Sequence, residues 1–164
     1  MNYFNKVWNL SGGTNKANFT LNGHLFGVNC VDYYRGDKPY LISGGDDRLI
    51  KIWDYQTKQC LHTIEGHTNN ISAVAFHPEL PIILSSSEDG AVKIWHSQTY
   101  RLETSLIHSH YFLNNNLSIL KILDMDRAWS IDIGKENSNI VAIGYDEGTV
   151  VIKIGSDEPV VSMK

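Results

Sequence analysis

Apolar and polar residues alternate along much of this chain with a period of two, in short runs separated by turn residues. Val28-Asn29-Cys30-Val31-Asp32-Tyr33 alternates, and Tyr40-Leu41-Ile42-Ser43 is an apolar run that ends on Gly44-Gly45-Asp46-Asp47. Leu49-Ile50-Lys51-Ile52-Trp53 follows, then a turn from Tyr55 to Lys58, then Cys60-Leu61-His62-Thr63-Ile64. Strand side chains point to opposite faces in turn, so runs this short, with a turn about every ten residues, predict a four-stranded antiparallel sheet. The next stretch repeats the pattern with strands from Ile71 to Phe76, Ile82 to Ser85, Val92 to Trp95 and Leu102 to Leu106. Pro78 and Pro81 fall between strands, where a missing N–H breaks no ladder bond.

A third unit is weaker. Its strands are expected at Ala128–Ile131, Ile140–Ile143 and Thr149–Ile154, and its turn Tyr145-Asp146-Glu147-Gly148 matches Ser87-Glu88-Asp89-Gly90. It has no Gly-His dipeptide, and Lys153 is expected where the other units place a tryptophan. Ahead of the first full unit, Val7–Leu10 reads as the end of a third strand and Asn18–Leu21 as a fourth.

The two full units share more than periodicity. Gly23-His24, Ser43-Gly44-Gly45-Asp46-Asp47 and Lys51-Ile52-Trp53-Asp54 recur as Gly66-His67, Ser85-Ser86-Ser87-Glu88-Asp89 and Lys93-Ile94-Trp95-His96, with the His residues 43 apart. A repeat of this length with a Gly-His…Trp-Asp signature resembles the blade of a WD40 β-propeller. The expected fold is therefore all-β: a partial propeller of about three and a half four-stranded antiparallel blades. The chain divides into a remnant of a preceding blade (1–22), two blades (23–65 and 66–106), an insertion (107–126), and a degenerate last blade with the start of a linker (127–164). The insertion is inferred from turn spacing, which is 42 residues from Asp47 to Asp89 but 58 from Asp89 to Glu147. It contains Asn114-Asn115-Asn116 and reads as drift in a permissive surface loop, with a strand or helical turn at Leu117–Leu123. Closed propellers have about four to eight blades. The chain is thus expected to be a piece of a longer protein, or to close by pairing with another copy.

His24, Ser43 and Asp47 have the residue types of a hydrolase triad. The same set recurs as His67, Ser85 and Asp89, and Trp53 and Trp95 each stand six residues after the aspartate. An enzyme has little use for one triad on adjacent blades. A blade does have a use for it, because a buried Asp–His–Ser–Trp hydrogen-bond chain pins the loop entering the blade to its sheet. No phosphate-binding loop, nucleophile elbow or zinc-protease motif is present, and neither enzymatic activity nor a cofactor is expected.

Other chemistry is sparse. His108 and His110 lack a third metal ligand, and Cys30 and Cys60 have no CxxC partner, so no metal site is expected and both cysteines read as reduced, buried small hydrophobes. A net charge of −4 without a basic stripe argues against nucleic acid as a partner. No run of 18 apolar residues and no secretory signal is visible, and the sequons at Asn9, Asn18, Asn70 and Asn116 read as inert. Asp46, Glu88 and Asp146 each precede the turn acid of a unit, which places three carboxylates on one rim, where the insertion is also expected to lie. Such a rim suits a basic peptide, although Asp is also simply a good turn residue.

Several loops go beyond the generic blade pattern. Gly27–Tyr34, Gly36–Gly44, Phe76–Ile83, Trp95–Glu103, Gly144–Gly148 and Glu158–Met163 resemble the β′ subunits of coatomer, the COPI vesicle coat. The resemblance spans the chain except for residues 1–5 and the insertion. It implies the last three blades of that family's first propeller plus part of the blade before, with Met163 near the boundary between its two propellers. It further implies a non-enzymatic coat component that works by binding proteins and sorting signals, in Golgi-to-endoplasmic-reticulum and intra-Golgi transport. Its partners would be other coatomer subunits and basic tails of cargo. It would be cytoplasmic and peripheral on Golgi membranes and vesicles, reaching the membrane through the coat. The family's main dilysine contacts lie in earlier blades, so no dilysine-binding residue carries over. The alternatives are a WD40 adaptor outside the coat, or a piece without function of its own.

Overall fold

The computed structural model describes residues 4–7, 17–106 and 126–154. The expected strand residues Trp8–Leu10, His108 and His110, Leu117–Leu123 and the tail from 155 onward lie outside the described residues.

Thirteen strands form four antiparallel sheets among the described residues. β1 (Phe4–Val7) and β2 (Phe19–Asn22) make a two-stranded sheet. The first blade is β3 (Val28–Tyr33), β4 (Tyr40–Gly45), β5 (Ile50–Asp54) and β6 (Gln59–Ile64), paired in that order. The second is β7 (Ile71–Phe76), β8 (Ile82–Ser87), β9 (Val92–His96) and β10 (Leu102–Leu106). The third is β11 (Ala128–Ile133), β12 (Ile140–Tyr145) and β13 (Gly148–Lys153). β1 is described from Phe4 to Val7, and so includes the first residue of the run expected at Val7–Leu10.

The core lies between the blades. Ile42, Ile50, Ile52 and Ile64 of the first blade pack with Ile71, Val74, Phe76, Ile83 and Trp95 of the second. Leu84 and Val92 of the second meet Ala128, Val141 and Ile143 of the third, and Leu21 of β2 meets Leu41 and Trp53. Because both faces are covered, β5 and β9 are buried at four successive residues rather than at alternate ones. The outer β6 and β10 are mostly exposed. Cys60 lies on β6 and is exposed, contrary to the sequence expectation, because an outermost strand has no blade beyond it to cover its first residues. Cys30 is half-buried and packs against the core between the blades, where burial pushes its thiol up to about 12.

Gly44 and Gly45 are strand residues, not the turn their composition suggests. A Cβ on Gly44 would stand 2.3 Å from Cγ2 of the fully buried Ile71. The glycine makes room for the neighbouring blade.

The register of the third blade corrects one expectation. Gly144 pairs with Thr149, whereas Gly44 pairs with Ile50, so this turn is one residue shorter. Ile152 therefore faces Val141 as Trp53 faces Leu41 and Trp95 faces Ile83. The residue at the tryptophan position is Ile152, not Lys153. Likewise Ile143 pairs with Ile131 as Ser43 pairs with Val31 and Ser85 with Val74.

Candidate functional site

Each full blade carries one hydrogen-bond relay at the end where its second and third strands turn. The relay begins on the third strand, where Trp53 Nε1–H donates to Ser43 Oγ at 2.8 Å. Ser43 donates to His24 Nε2 at 2.7 Å, and His24 Nδ1–H donates to Asp47 at 2.8 Å. Only one proton arrangement satisfies all four groups: a neutral imidazole protonated at Nδ1. Burial pulls the His24 pKa down against the opposing bond from Asp47, which favours that neutral form. The second blade repeats the relay through Trp95, Ser85, His67 and Asp89 at 2.9, 2.8 and 2.9 Å.

The aspartates also organise the backbone. Asp47 accepts from the N–H groups of Leu25 and Leu49, and so fixes the loop entering the blade and its own turn. Asp89 does the same through Thr68 and Ala91. Burial alone would raise the Asp89 carboxyl, but the bonds from His67, Thr68 and Ala91 overcome this and bring it down to about 2. The glycine before each histidine lies against the tryptophan ring, where a Cβ would come within 2.9 Å of Cη2 in both blades. The Gly-His dipeptide is thus a contact with the tryptophan as much as a turn.

This geometry does not suit nucleophilic catalysis. Ser43 and Ser85 are wholly buried, each with its proton committed to histidine and a lone pair to an indole N–H. No substrate carbonyl has a path to either oxygen. Among the described residues, no group of three or more His, Cys, Asp or Glu is placed to hold a metal ion, and no helix is long and apolar enough to cross a membrane.

The three rim carboxylates sit at the same end, each on the turn between second and third strands, and each is held by a donor of its own blade. Asp46 accepts from Asn29 at 2.7 Å, and Glu88 from Asn70 at 3.2 Å. Asp146 accepts from Trp129 Nε1 and from Arg127 Nε, bonds that hold its carboxyl below the ordinary range. Arg127 also lies over the Trp129 ring, 5.3 Å from its centroid.

Sequence reasoning missed the contacts that join the blades. The Asn29 amide, besides holding Asp46, donates to the carbonyl of Ile71 in the second blade. Ser72, at the matching position, donates to the carbonyl of Ala128 in the third. At the opposite end, buried His77 accepts from the N–H groups of Glu79 and Leu80 and donates through Nε2 to the Ser138 carbonyl of the third blade, at 2.7 Å. Ser138 returns a bond from its hydroxyl to Glu79. The only sequence signal for His77 is that it begins the turn containing Pro78 and Pro81.

Comparison with known proteins places this geometry in context. The model of the WD domain, G-beta repeat family (WD40) matches residues 15–54 and 58–96. The chain is 58% identical to coatomer subunit beta' of Drosophila melanogaster, 54% to that of Homo sapiens and 53% to coatomer subunit beta'-1 of Arabidopsis thaliana. Each match covers 96% of this chain, which spans about 15% of the length of those relatives.

Proposed function

The chain belongs to the WD40-repeat family of coatomer β′ subunits, and we propose that it acts as a non-enzymatic interaction component of the COPI vesicle coat. The observation that carries this reading is identity above one half, sustained over 96% of the chain. The proposed setting is Golgi-to-endoplasmic-reticulum retrograde and intra-Golgi protein transport. The proposed partners are other coatomer subunits, with membrane association indirect through the coat, and the proposed location is cytoplasmic, peripheral on Golgi membranes and COPI vesicles.

Binding is proposed to use the rim that carries Asp46, Glu88 and Asp146, with basic segments of cargo tails as the ligand class. Asp46 and Glu88, held by neutral amides on ordered turns, favour such a segment through their summed field, while Arg127 offsets part of the charge of Asp146. The relays below them are proposed to be structural, keeping that rim in one shape.

Affinity capture of the native polypeptide from cells, read by mass spectrometry, tests the proposal. Recovery with the other coatomer subunits is the expected result. Recovery without them would overturn it and leave a WD40 adaptor acting outside the coat.

A further inference from the structure

The dipeptide Asn22-Gly23 occurs once in this chain, at the entrance to the first blade. Asn22 is the last residue of β2, and both it and Gly23 are exposed. The strand ends there in a sheet of two strands, with Phe4 as its last partner. Such a pair is marginal on its own and frays from its ends.

The glycine is fixed by the tryptophan of its blade. A Cβ at Gly23 would come within 2.9 Å of Trp53, as one at Gly66 would of Trp95. The residue before it is not fixed in this way, since the second blade has Glu65 where the first has Asn22. The first blade therefore sets a side-chain amide beside a backbone nitrogen that no side chain shields.

That pair can react with itself. The Gly23 nitrogen gives its proton to solvent and bonds to Asn22 Cγ, closing a succinimide. The Cγ–Nδ2 bond breaks, and ammonia leaves. Water then opens the ring. Breaking the new N–Cγ bond gives aspartate. Breaking the bond from the nitrogen to the original main-chain carbonyl gives isoaspartate, whose main chain runs through Cβ and Cγ. Amide and water are consumed, carboxylate and ammonium are produced, and nothing is oxidised or reduced.

The two products differ in what they do to the blade. Aspartate brings to position 22 the kind of charge that Glu65 already carries. Isoaspartate lengthens the main chain by one carbon between two anchors: Leu21, buried against Leu41 and Trp53, and His24, buried in its relay. The added length must displace one of them. The same anchors hold Asn22 extended, whereas ring closure needs its backbone to turn, so the relay sets the pace of the reaction.

We infer that Asn22–Gly23 is a self-modification site: it deamidates through a succinimide when the first relay opens, and its isoaspartate product holds that relay open.

The test incubates the full chain in heavy-oxygen water at mildly alkaline pH, beside the peptide acetyl-Thr-Leu-Asn-Gly-His-Leu-amide. Mass spectrometry of proteolytic fragments follows solvent oxygen into position 22, and protein isoaspartyl methyltransferase with S-adenosylmethionine identifies isoaspartate. Conversion at Asn22, slower than in the peptide and absent from Asn22→Gln, is expected. His24→Gln is expected to speed it about fivefold or more, whereas His67→Gln, which opens the other relay, leaves the rate within about twofold of the parent. The isoaspartate form, separated by ion exchange, is expected to melt below Asn22→Asp, which carries the charge without the extra carbon. Three results would each overturn the inference: no conversion in His24→Gln after the peptide has fully reacted, equal acceleration by the two histidine variants, or an isoaspartate form that melts with Asn22→Asp.

Discussion

Tyr100 lies nearly flat on His62 across the junction of the first and second blades, with ring centroids 4.4 Å apart and planes 19° from parallel. Tyr100 has a left-handed backbone, φ 58°, in the turn between the third and fourth strands of its blade. Lys58 holds the same place one blade earlier, with φ 63°, and stands over the Phe19 ring of β2 at 5.4 Å. Each of the two full blades thus reaches back over the last strand of its predecessor from a strained turn.

Substituting Tyr100 separates the stack from the strain. Tyr100→Ala loses the ring contact and keeps the unfavourable backbone, so a loss of about 1–2 kcal/mol is expected. Tyr100→Gly loses the same contact but relieves the backbone, and is expected to cost less. Urea denaturation of the two variants checks the order; equal losses would remove strain from the account.

Removing one relay hydroxyl strands two buried groups. In Ser85→Ala, Trp95 Nε1–H loses its acceptor and His67 Nε2 its donor, so a loss of about 1–3 kcal/mol is expected for each group left unpaired. The Ser105 hydroxyl accepts from the buried Lys93 ammonium, so Ser105→Ala is expected to cost about 1.5–3 kcal/mol. A serine-directed fluorophosphonate is expected to label neither Ser43 nor Ser85 in the folded chain.

The relay is legible in the sequence because its members are four different polar or aromatic types at fixed spacing, given twice. Gly44 is harder to read. A glycine before Asp-Asp resembles a turn, and its real reason is Ile71, which lies 27 residues away in the sequence and on another blade. The residue at the tryptophan position of the third blade is misplaced by counting, because a turn one residue shorter shifts Ile152 into it and Lys153 out of it. Asn29, Ser72 and His77 bind neighbouring blades through backbone carbonyls, which leave no residue type to read.

The Gly44 reading has its own test. Gly44→Ala overpacks the junction, and a loss of about 1–3 kcal/mol is expected. Ile71→Ala alone leaves a cavity and costs about 2–5 kcal/mol. The alanine at position 44 would occupy part of that cavity, so the double variant is expected to lose less than the sum of the singles by at least about 0.5 kcal/mol. Strict additivity would show that the two positions do not share the space.

Acid should loosen the blades in two stages. The folded pKa of His24 is lowered, so the unfolded chain takes up a proton first; its contribution is present above about 6.5 and is lost as pH falls through the folded value. The Asp89 carboxyl is also lowered in the fold, to about 2, so its contribution holds above about 4 and is lost between there and about 2. Thermal melts across this range are expected to show a gentle fall and then a steep one. His24→Gln should flatten the first stage, and Asp89→Asn the second.

The proposed peptide rim predicts a salt-dependent ligand. The triple variant Asp46→Asn, Glu88→Gln, Asp146→Asn is expected to bind a lysine-rich peptide at least about fivefold more weakly than the parent at low salt, and the difference should shrink as ionic strength rises. Isothermal titration at two salt concentrations checks both.

The third blade fills with Ile143 and Ile152 the places that serine and tryptophan hold in its neighbours. The two kinds of fastening answer to different weather. A hydrogen-bonded relay is vulnerable to acid but little affected by chill, whereas a purely greasy joint ignores protons and slackens as water cools. One molecule therefore carries blade interiors with unlike failure conditions, while the seam between its second and third blades, joined through His77, Glu79 and Ser138, still answers to acid.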